Sequence, residues 1–427
     1  MAISLKNKIS ADYVLTFLAE FMVLVAGVYV YRFAATRLGD AGFAGYAIGR
    51  RTISFIQPLL IIGLGVGIPR YVAFSVADKN SKRSGSYFIA GILLMMIVTL
   101  PLLFVLVLMK NWFSVLFFDD VAYAHLLFPM CVMLFGLVLH AMCYGFFRGR
   151  LKMIHANVMQ LINLGIVPIV AFYIAHDLDT VLLVTGLAWM IVPLLFSVFI
   201  FSGMDWKKEE VKDCLRELFV YGIQRMPGDV ALAGFLALPA YFAAHMVHDE
   251  LRTSGNVAFG MSMLNLAGAA FGPIGLMLLP KASQVIVSKD YVSLKRYTNI
   301  ITAWTLGLTV AGLLFAETFA SFIIRIYLGE GKDELVLTMR LIITGCLGYT
   351  LYISLRSILD AYYVKAMNTI NIFISFAVFL IAALSVKYSG ASFMNIIYAF
   401  IASMLILGAL TTFETYRIFR NKNNSAA

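Results

Sequence analysis

Charged residues are scarce in this chain. Of its 427 residues, 13% are charged and 61% are hydrophobic. A water-soluble protein of this length needs a charged surface, which this composition does not provide. The composition therefore excludes the soluble classes of protein and predicts a chain whose main solvent is lipid.

Several signatures of chemical function are also missing. The four cysteines show no spacing that is typical of a disulfide or a metal site. No Gly-rich phosphate loop ends in Lys followed by Ser or Thr. The predicted outward loops are too short to hold a catalytic domain. These absences favour a protein that is not an enzyme and that holds no cofactor.

Twelve apolar stretches, each long enough to cross a bilayer as a helix, fill the chain. A span needs about 20 apolar residues. The predicted spans are 13–35, 43–68, 87–109, 123–147, 156–175, 180–201, 219–244, 256–280, 298–324, 335–355, 366–386 and 391–415. They lack the alternation of apolar and polar residues that a membrane β-barrel requires. The sequence therefore predicts an all-α integral membrane protein with 12 transmembrane helices.

The second six stretches repeat the first six at an offset of 211 residues. Three identities occur at this offset: Gly49 and Gly260, Pro69 and Pro280, and Asn157 and Asn368. Duplicated six-helix halves are typical of transporters. We predict a first lobe at 1–203, a cytoplasmic amphipathic connector at 204–218, and a second lobe at 219–427 that ends in a short basic tail.

The placement of basic residues predicts the orientation of the chain. Lys and Arg concentrate in alternate loops, to which we also assign Arg148 and Arg356. The loops between them are acidic or nearly neutral, as at Asp119-Asp120, Asp177 and Asp249-Glu250. This is the positive-inside pattern, which places both termini in the cytoplasm. The pattern explains the net charge of +10 without a nucleic-acid partner.

Ionisable residues inside the predicted spans are the candidates for function, because a charge in lipid is costly. Five are basic: Arg32, Arg50, Arg51, Arg225 and Arg340. The carboxylates well inside the spans are Glu20 and Asp229. None of these charges has a like charge 211 positions away. We therefore expect them to serve a ligand or a coupling ion rather than the scaffold.

The surplus of arginine predicts an anion-binding cavity. Arginine grips phosphate through paired, planar hydrogen bonds. The alternative is that Arg50 and Arg51 reach toward the membrane surface or pair with carboxylates. Glu20 is the leading candidate for proton coupling, and the alternative is a hydrogen bond to a neighbouring helix. We expect His140 to be a packed polar residue.

A bend with charges beside it is predicted at the start of the seventh span. Arg225 and Asp229 are four residues apart on one helical face, where they either neutralise each other or separate during transport. Pro227 and Gly228 lie between them. Proline removes a backbone donor, so the helix is expected to kink or break there and to act in gating.

The same segment resembles a known family. From Phe219 to Asp229 it reads Phe-Val-Tyr-Gly-Ile-Gln-Arg-Met-Pro-Gly-Asp, followed by an Ala- and Leu-rich run to Ala240. This is similar to the opening of the second lobe in Wzx-type polysaccharide flippases of the multidrug/oligosaccharidyl-lipid/polysaccharide (MOP) exporter superfamily. Gln224 stands where a proline is common in that family. The two-lobe architecture covers essentially the whole chain.

The resemblance implies a MATE-like fold and a substrate. That substrate is an oligosaccharide on a polyprenyl diphosphate, moved by alternating access to the outer leaflet of the bacterial inner membrane for O-antigen or other surface polysaccharide. The implied partners are this lipid-linked glycan, membrane lipids and other polysaccharide-assembly membrane proteins, and we expect a monomer. The membrane potential or an H⁺ or Na⁺ gradient would supply the driving force.

Three other functions remain as alternatives. A cation-coupled multidrug exporter shares the fold but binds cationic compounds in an acidic cavity. An integral-membrane glycan polymerase or ligase would carry a long outward loop and no internal duplication. A peptidoglycan-precursor flippase also moves a lipid diphosphate, but such carriers usually have two more spans.

Overall fold

A computed structural model describes residues 2–118, 120–202, 204–246, 252–328 and 333–423. All regular secondary structure in these residues is helical. Ten of the described helices are long and apolar enough to cross a membrane, or up to twelve if each of two bent pairs forms one span. The predicted all-α membrane fold is confirmed. Three features used in the predictions lie outside the described residues: Asp119, the Asp249-Glu250 pair and the side chain of Arg51.

The chain forms two compact units, Met1–Met226 and Pro227–Ala427. The helices of the first unit are α1 (Ala2–Arg37), α2 (Gly39–Ile61), α3 (Leu64–Ala77), α4 (Ser81–Leu108), α5 (Lys110–Phe118), α6 (Leu127–Gly149), α7 (Met153–Gln160), α8 (Val167–Ile174), α9 (Leu178–Phe201) and α10 (Lys208–Ile223). A 3₁₀ turn at Val121–Leu126 precedes α6, and a π-helical turn at Leu161–Ile166 joins α7 to α8.

Long helices and an aromatic core characterise the second unit. Its helices are α11 (Met226–Met246), α12 (Arg252–Val287), α13 (Tyr291–Leu328), α14 (Asp333–Ile343), α15 (Cys346–Tyr362), α16 (Met367–Ser389) and α17 (Met394–Asn423). Phe235, Phe379 and Phe400 pack together in the core, with ring centroids 5.4 to 5.9 Å apart. Edge-on and tilted aromatic contacts of this kind join helices more strongly than buried area alone.

A bend of 40° separates α2 from α3. Ile62 and Gly63 form the bend, with left-handed φ angles of 43° and 64°. A Cβ atom on Gly63 would lie 2.9 Å from Cα of Gly222, and one on Gly222 would lie 2.0 Å from the carbonyl oxygen of Ile62. Only residues without a side chain allow this approach. The end of α10 therefore packs backbone to backbone against the bend.

The predicted interruption near Pro227 is confirmed, and its form differs from a kink. α10 ends at Ile223 and α11 begins at Met226, so the chain breaks before the proline. Pro227 lies in the first turn of α11. Backbone N–H groups in this turn have no acceptor within the helix, so the missing N–H of proline costs no helical hydrogen bond. Arg225 lies in the short turn between the two helices.

The helix breaks are not repeated between the two halves of the sequence. At the offset of 211, the bend at 62–63 corresponds to 273–274, within the unbroken α12. The π turn corresponds to 372–377, within the unbroken α16. The 43° bend between α14 and α15 corresponds to a position inside the unbroken α6. The duplicated halves thus share their order of spans but differ in where those spans are interrupted.

Candidate functional site

Glu20 of α1 is the centre of a polar group in the first unit. Its Oε1 accepts hydrogen bonds from Nε2 of Gln160 at 3.0 Å and from the hydroxyl of Tyr144 at 3.3 Å. The positive charge of Arg148, one turn after Tyr144 on α6, also acts on Glu20. Glu20 lies within the candidate span Val14–Ala34. The donors compensate the carboxylate for the water that it loses there.

The hydrogen bonds continue beyond Gln160. Its Oε1 lies 2.9 Å from Nε2 of His140, and Nδ1 of His140 lies 3.2 Å from Nδ2 of Asn163. Asn163 belongs to the π turn, which precedes Pro168 in the first turn of α8. Proline has no N–H to continue the α-helical pattern, and π turns often occur at functional sites. His140 is buried, as expected, but both of its ring nitrogens are engaged.

Asp229 has a similar setting in the second unit. It lies in the first turn of α11, and its charge acts on Arg356 of α15, as does the charge of Asp360. Nη1 of Arg356 donates to the hydroxyl of Tyr352, one turn earlier, at 3.2 Å. Tyr352 and Asp360 are both buried. Two carboxylates therefore lie near one guanidinium in this part of the chain.

Each unit thus contains what we call a carboxylate–tyrosine–arginine group. The members are Glu20, Tyr144 and Arg148 in the first unit and Asp229, Tyr352 and Arg356 in the second. The carboxylates are 209 positions apart, and the tyrosines and arginines are 208 apart. Of the embedded charges considered at the offset of 211, Glu20 and Asp229 therefore correspond to each other at an offset of 209.

The two arginines of these groups lie elsewhere than predicted. Arg148 and Arg356 lie inside α6 and α15, not in loops. A signal for both was present, since each follows a tyrosine by four residues in the fourth span of its half. Gln160 and Asn163 carried no comparable signal, because single amides within an apolar span show no pattern.

Arg50 of α2 differs from the other predicted arginines. Its side chain is half-buried, and its guanidinium carbon lies 5.2 Å from the centre of the Trp189 ring. Trp189 is fully buried on α9. In the described part of the chain, no carboxylate forms an ion pair with Arg50. Its cation therefore faces an aromatic ring and leaves its hydrogen-bond donors available.

The remaining arginines occupy separate places. Arg32 is exposed on α1. Arg225 is buried, lies 3.4 Å from the centre of the Tyr221 ring, and donates to the Tyr221 carbonyl at 3.0 Å. In the second unit, Nε of Arg340 lies 3.5 Å from Oε1 of Glu317, so Arg340 is paired.

A pocket of about 320 Å³ opens between α3, α4 and α10. Its wall includes an ion pair in which Nη2 of Arg83 lies 2.9 Å from Oε1 of Glu217. The hydroxyl of Tyr87 donates to the same carboxylate. These bonds hold α10 to α4. Across the described residues, no group of three or more His, Cys, Asp or Glu side chains is placed to hold a metal ion.

The chain is similar to a known protein family and to solved structures. The MatE family model matches residues 16–174, a range that includes Glu20, Tyr144 and Asn163. A solved MATE structure in the straight conformation is similar over 97% of this chain and 96% of its own, with a TM-score of 0.85 and 12% identity. The fold is that of the MATE transporters. No curated protein sequence matches the chain significantly.

Two further MATE-fold structures differ in their described function. One is an outward-facing multidrug resistance MATE family transporter of the MOP superfamily, with a TM-score of 0.80, 12% identity and coverage of 96% of both chains. The other is a MOP superfamily transporter from Pyrococcus furiosus, described by a binding pocket of reversed polarity that suggests a different function. Its TM-score is 0.80, with 10% identity and coverage of 95% of both chains. At such identities the likeness concerns the fold alone.

Proposed function

We propose that this chain is an alternating-access transporter that moves polyprenyl-diphosphate-linked oligosaccharide from the cytoplasmic to the outer leaflet of a bacterial inner membrane. Arg50 carries the proposal. It is a half-buried cation on a membrane helix, with an aromatic contact and no carboxylate partner among the described residues. A charge in this position marks a ligand site, and guanidinium groups bind diphosphate oxygens in pairs.

The contact with the Trp189 ring makes the guanidinium of Arg50 suited to binding a bulky anion. The guanidinium carbon lies 5.2 Å from the centre of the Trp189 ring, a cation–π contact that helps to hold the side chain in place. A guanidinium held in this way can donate two parallel bonds to a phosphoryl group. Arg340 is a poorer candidate, because the Glu317 carboxylate pairs with it and the Glu317 backbone carbonyl accepts from its Nη2. We therefore assign the diphosphate to Arg50, with Arg51 beside it in the chain.

The energy source in this proposal is protonation of Glu20, assisted by the membrane potential. Moving a net charge of about −2 outward from a negative interior gains roughly 2.3 kcal/mol per charge per 100 mV. Glu20 is the protonatable member of the first unit's carboxylate–tyrosine–arginine group. A proton that enters from outside and leaves inside would return the empty carrier.

A cation-coupled multidrug exporter is the second candidate. The fold similarity to a multidrug resistance MATE transporter favours it, as does the carboxylate of Glu20 within a span. The two candidates share the coupling site and differ in the charge of the cargo. A cationic drug requires an acidic cavity, whereas a diphosphate requires Arg50.

The test is transport by purified protein in liposomes. One assay supplies a fluorescent polyprenyl-diphosphate oligosaccharide and the other a cationic dye, each with and without a pH gradient. We expect movement of the lipid by the natural protein and a loss of about tenfold or more in Arg50→Gln, because charge-assisted hydrogen bonds contribute about 1.5–3 kcal/mol.

Arg340→Gln is the matched control for the Arg50 variant, since it removes the same charge from a paired site. It should transport the lipid at close to the natural rate. Undiminished lipid movement in Arg50→Gln and in the double Arg50→Gln/Arg51→Gln variant would refute the anion site. Proton-driven uptake of the dye without any lipid movement would assign the chain to the multidrug exporters.

A further inference from the structure

The hydrogen-bond chain that ends at Glu20 has a single direction. Gln160 donates its Nε2 to Glu20, so its Oε1 is turned toward His140 and needs a donor there. Nε2 of His140 must therefore carry hydrogen. Its Nδ1 then accepts from Nδ2 of Asn163. Every donor in the chain points toward the carboxylate, which is the arrangement that an ionised Glu20 requires.

One acceptor at the far end of the chain is unused. Oδ1 of Asn163 is buried and has no hydrogen-bond partner among the described residues. A buried acceptor in this state costs free energy, and such exceptions call for an explanation. Rotation of the Asn163 amide would turn this oxygen toward Nδ1 of His140. Oδ1 of Asn163 can therefore serve as the last acceptor of a hydrogen-bond chain that runs in the opposite direction.

The reversed chain is complete when Glu20 carries a proton. The carboxylic acid would donate to Oε1 of Gln160, and Nε2 of Gln160 would donate to Nε2 of His140. Nδ1–H of His140 would donate to Oδ1 of Asn163. Glu20 takes one proton from water. The imidazole returns its Nε2 proton to water and takes one from water at Nδ1, so the net change is the uptake of a single proton. The ring stays neutral in both states, and both amides rotate.

We propose that His140 is a positioning residue that sets the direction of the Gln160 amide and makes this chain a two-state element controlled by protonation of Glu20. The inference rests on the proposed proton coupling at Glu20. The other groups that face the carboxylate do not compel one direction. The hydroxyl of Tyr144 can donate to either form of the carboxyl, and Arg148 acts through its charge.

His140 is held in place for this role. Its ring stacks on Tyr144 of the same helix, with centroids 5.5 Å apart and planes 17° apart. The ring can therefore exchange its proton between nitrogens without moving. The second unit has no such chain, because Gly348 stands where the offset of 208 would place the histidine. The two-state element thus belongs to the first unit alone in the described part of the chain.

The tautomer of His140 is the direct test. Full-length protein with ¹⁵N-labelled histidine would be studied by NMR in lipid, and a His140→Phe sample would identify the signal among the six histidines. In the natural protein at alkaline pH we expect hydrogen on Nε2. At a pH low enough to protonate Glu20, whose carboxylic acid then donates to Gln160, we expect hydrogen on Nδ1. The same tautomer at both pH values would overturn the proposal.

Transport variants test the consequence for coupling. His140→Phe keeps the stacked ring but removes the donor, so Gln160 can turn and accept the proton of Glu20. The midpoint of the pH profile should rise by about one unit. His140→Gln places an amide donor near the same position and should restore the natural midpoint. His155→Phe, on α7 but outside the chain, is the matched control.

The outcomes separate this inference from the proposed function. A midpoint that does not move in His140→Phe, or that moves equally in His140→Gln, would overturn the positioning role. The protein could show the expected change of His140 tautomer while its transport does not depend on pH. That result would uphold the two-state hydrogen-bond chain and refute proton coupling. Lipid transport plays no part in the NMR result, so the two failures are distinguishable.

Discussion

Gly63 and Gly222 meet backbone to backbone in the first unit, at the bend between α2 and α3. Neither position has room for a methyl group, and Gly63 also has a left-handed backbone. The contact lets the end of α10 lie directly against the bend. Two interruptions of the membrane helices, at 62–63 and 224–225, are thereby brought close together.

This contact predicts the effect of Gly222→Ala. The added Cβ would lie 2.0 Å from the carbonyl oxygen of Ile62, so the backbone must move. Overpacking of this kind costs about 1–3 kcal/mol, and we expect a lower unfolding temperature in detergent. Gly312→Ala on α13 is the control, because nothing lies within 4 Å of its added Cβ. A Gly222→Ala protein as stable as the control would contradict the observed contact.

Arg356 is expected to be a stabilising residue of the second unit. Arg356→Leu would leave the charges of Asp229 and Asp360 without the cation that acts on both. Removing one partner from a buried ionic group costs about 3–5 kcal/mol. Arg417→Leu is the control, since its pair with Glu414 leaves 54% of the arginine side chain exposed, and should cost about 1 kcal/mol or less. Chemical unfolding in micelles would measure the free energy of unfolding of both variants. Equal losses would show that Arg356 stabilises the protein no more than an exposed arginine does.

Glu20 and Asp229 should differ in their effect on coupling, although their settings are alike. Glu20→Gln removes the proton-binding group at the end of the His140 chain. We expect it to abolish the dependence of transport on a pH gradient while leaving exchange without a gradient. Asp229→Asn should weaken transport but keep the gradient dependence. The measurement is the release of protons from detergent-solubilised protein when substrate binds. Release from Glu20→Gln equal to that from the natural protein would exclude Glu20 as the coupling site.

Asp177 predicts a pH-dependent contribution to stability at the start of α9. Its Oδ1 accepts the backbone N–H of Thr180 at 2.9 Å, and this bond holds the pKa of Asp177 below its usual 3.8. The ionised form is thus favoured in the folded state. The stabilisation is present above pH 3.8 and is lost as the pH falls through the lowered pKa.

The corresponding variant is Asp177→Ala, which should lose about 1 kcal/mol at neutral pH and less at strongly acid pH. Asp177→Asn is the matched control, because its amide oxygen caps the helix without titrating. Unfolding temperatures over a pH series would compare the three proteins. A constant difference between the natural protein and Asp177→Ala, down to acid pH, would show that ionisation of Asp177 has no part in the cap.

Much of the candidate site was accessible to sequence reasoning because charge in a span is rare. Glu20, Arg50 and Asp229 stand out in apolar stretches for that reason. Their partners do not stand out. Tyr144 and Gln160 are 124 and 140 positions from Glu20, and only the packing of α7 against both α1 and α6 brings them to the carboxylate. Arg340 was predicted as a ligand for anions, but Glu317 on α13 pairs with it.

The sequence by itself determined the class of fold, the order of the spans and the duplication. Lipid supplies no hydrogen bonds, so any long apolar stretch must be a helix, and this requirement is local. The break near Pro227 followed from the sequence, but the tertiary structure decided where the other helices break and which charges meet. The bend at Gly63 lies against Gly222, which is distant in the sequence. The carboxylate–tyrosine–arginine groups correspond at offsets of 208 and 209, and hydropathy does not distinguish these from 211. Such relationships depend on contacts between distant segments, which composition and periodicity do not encode.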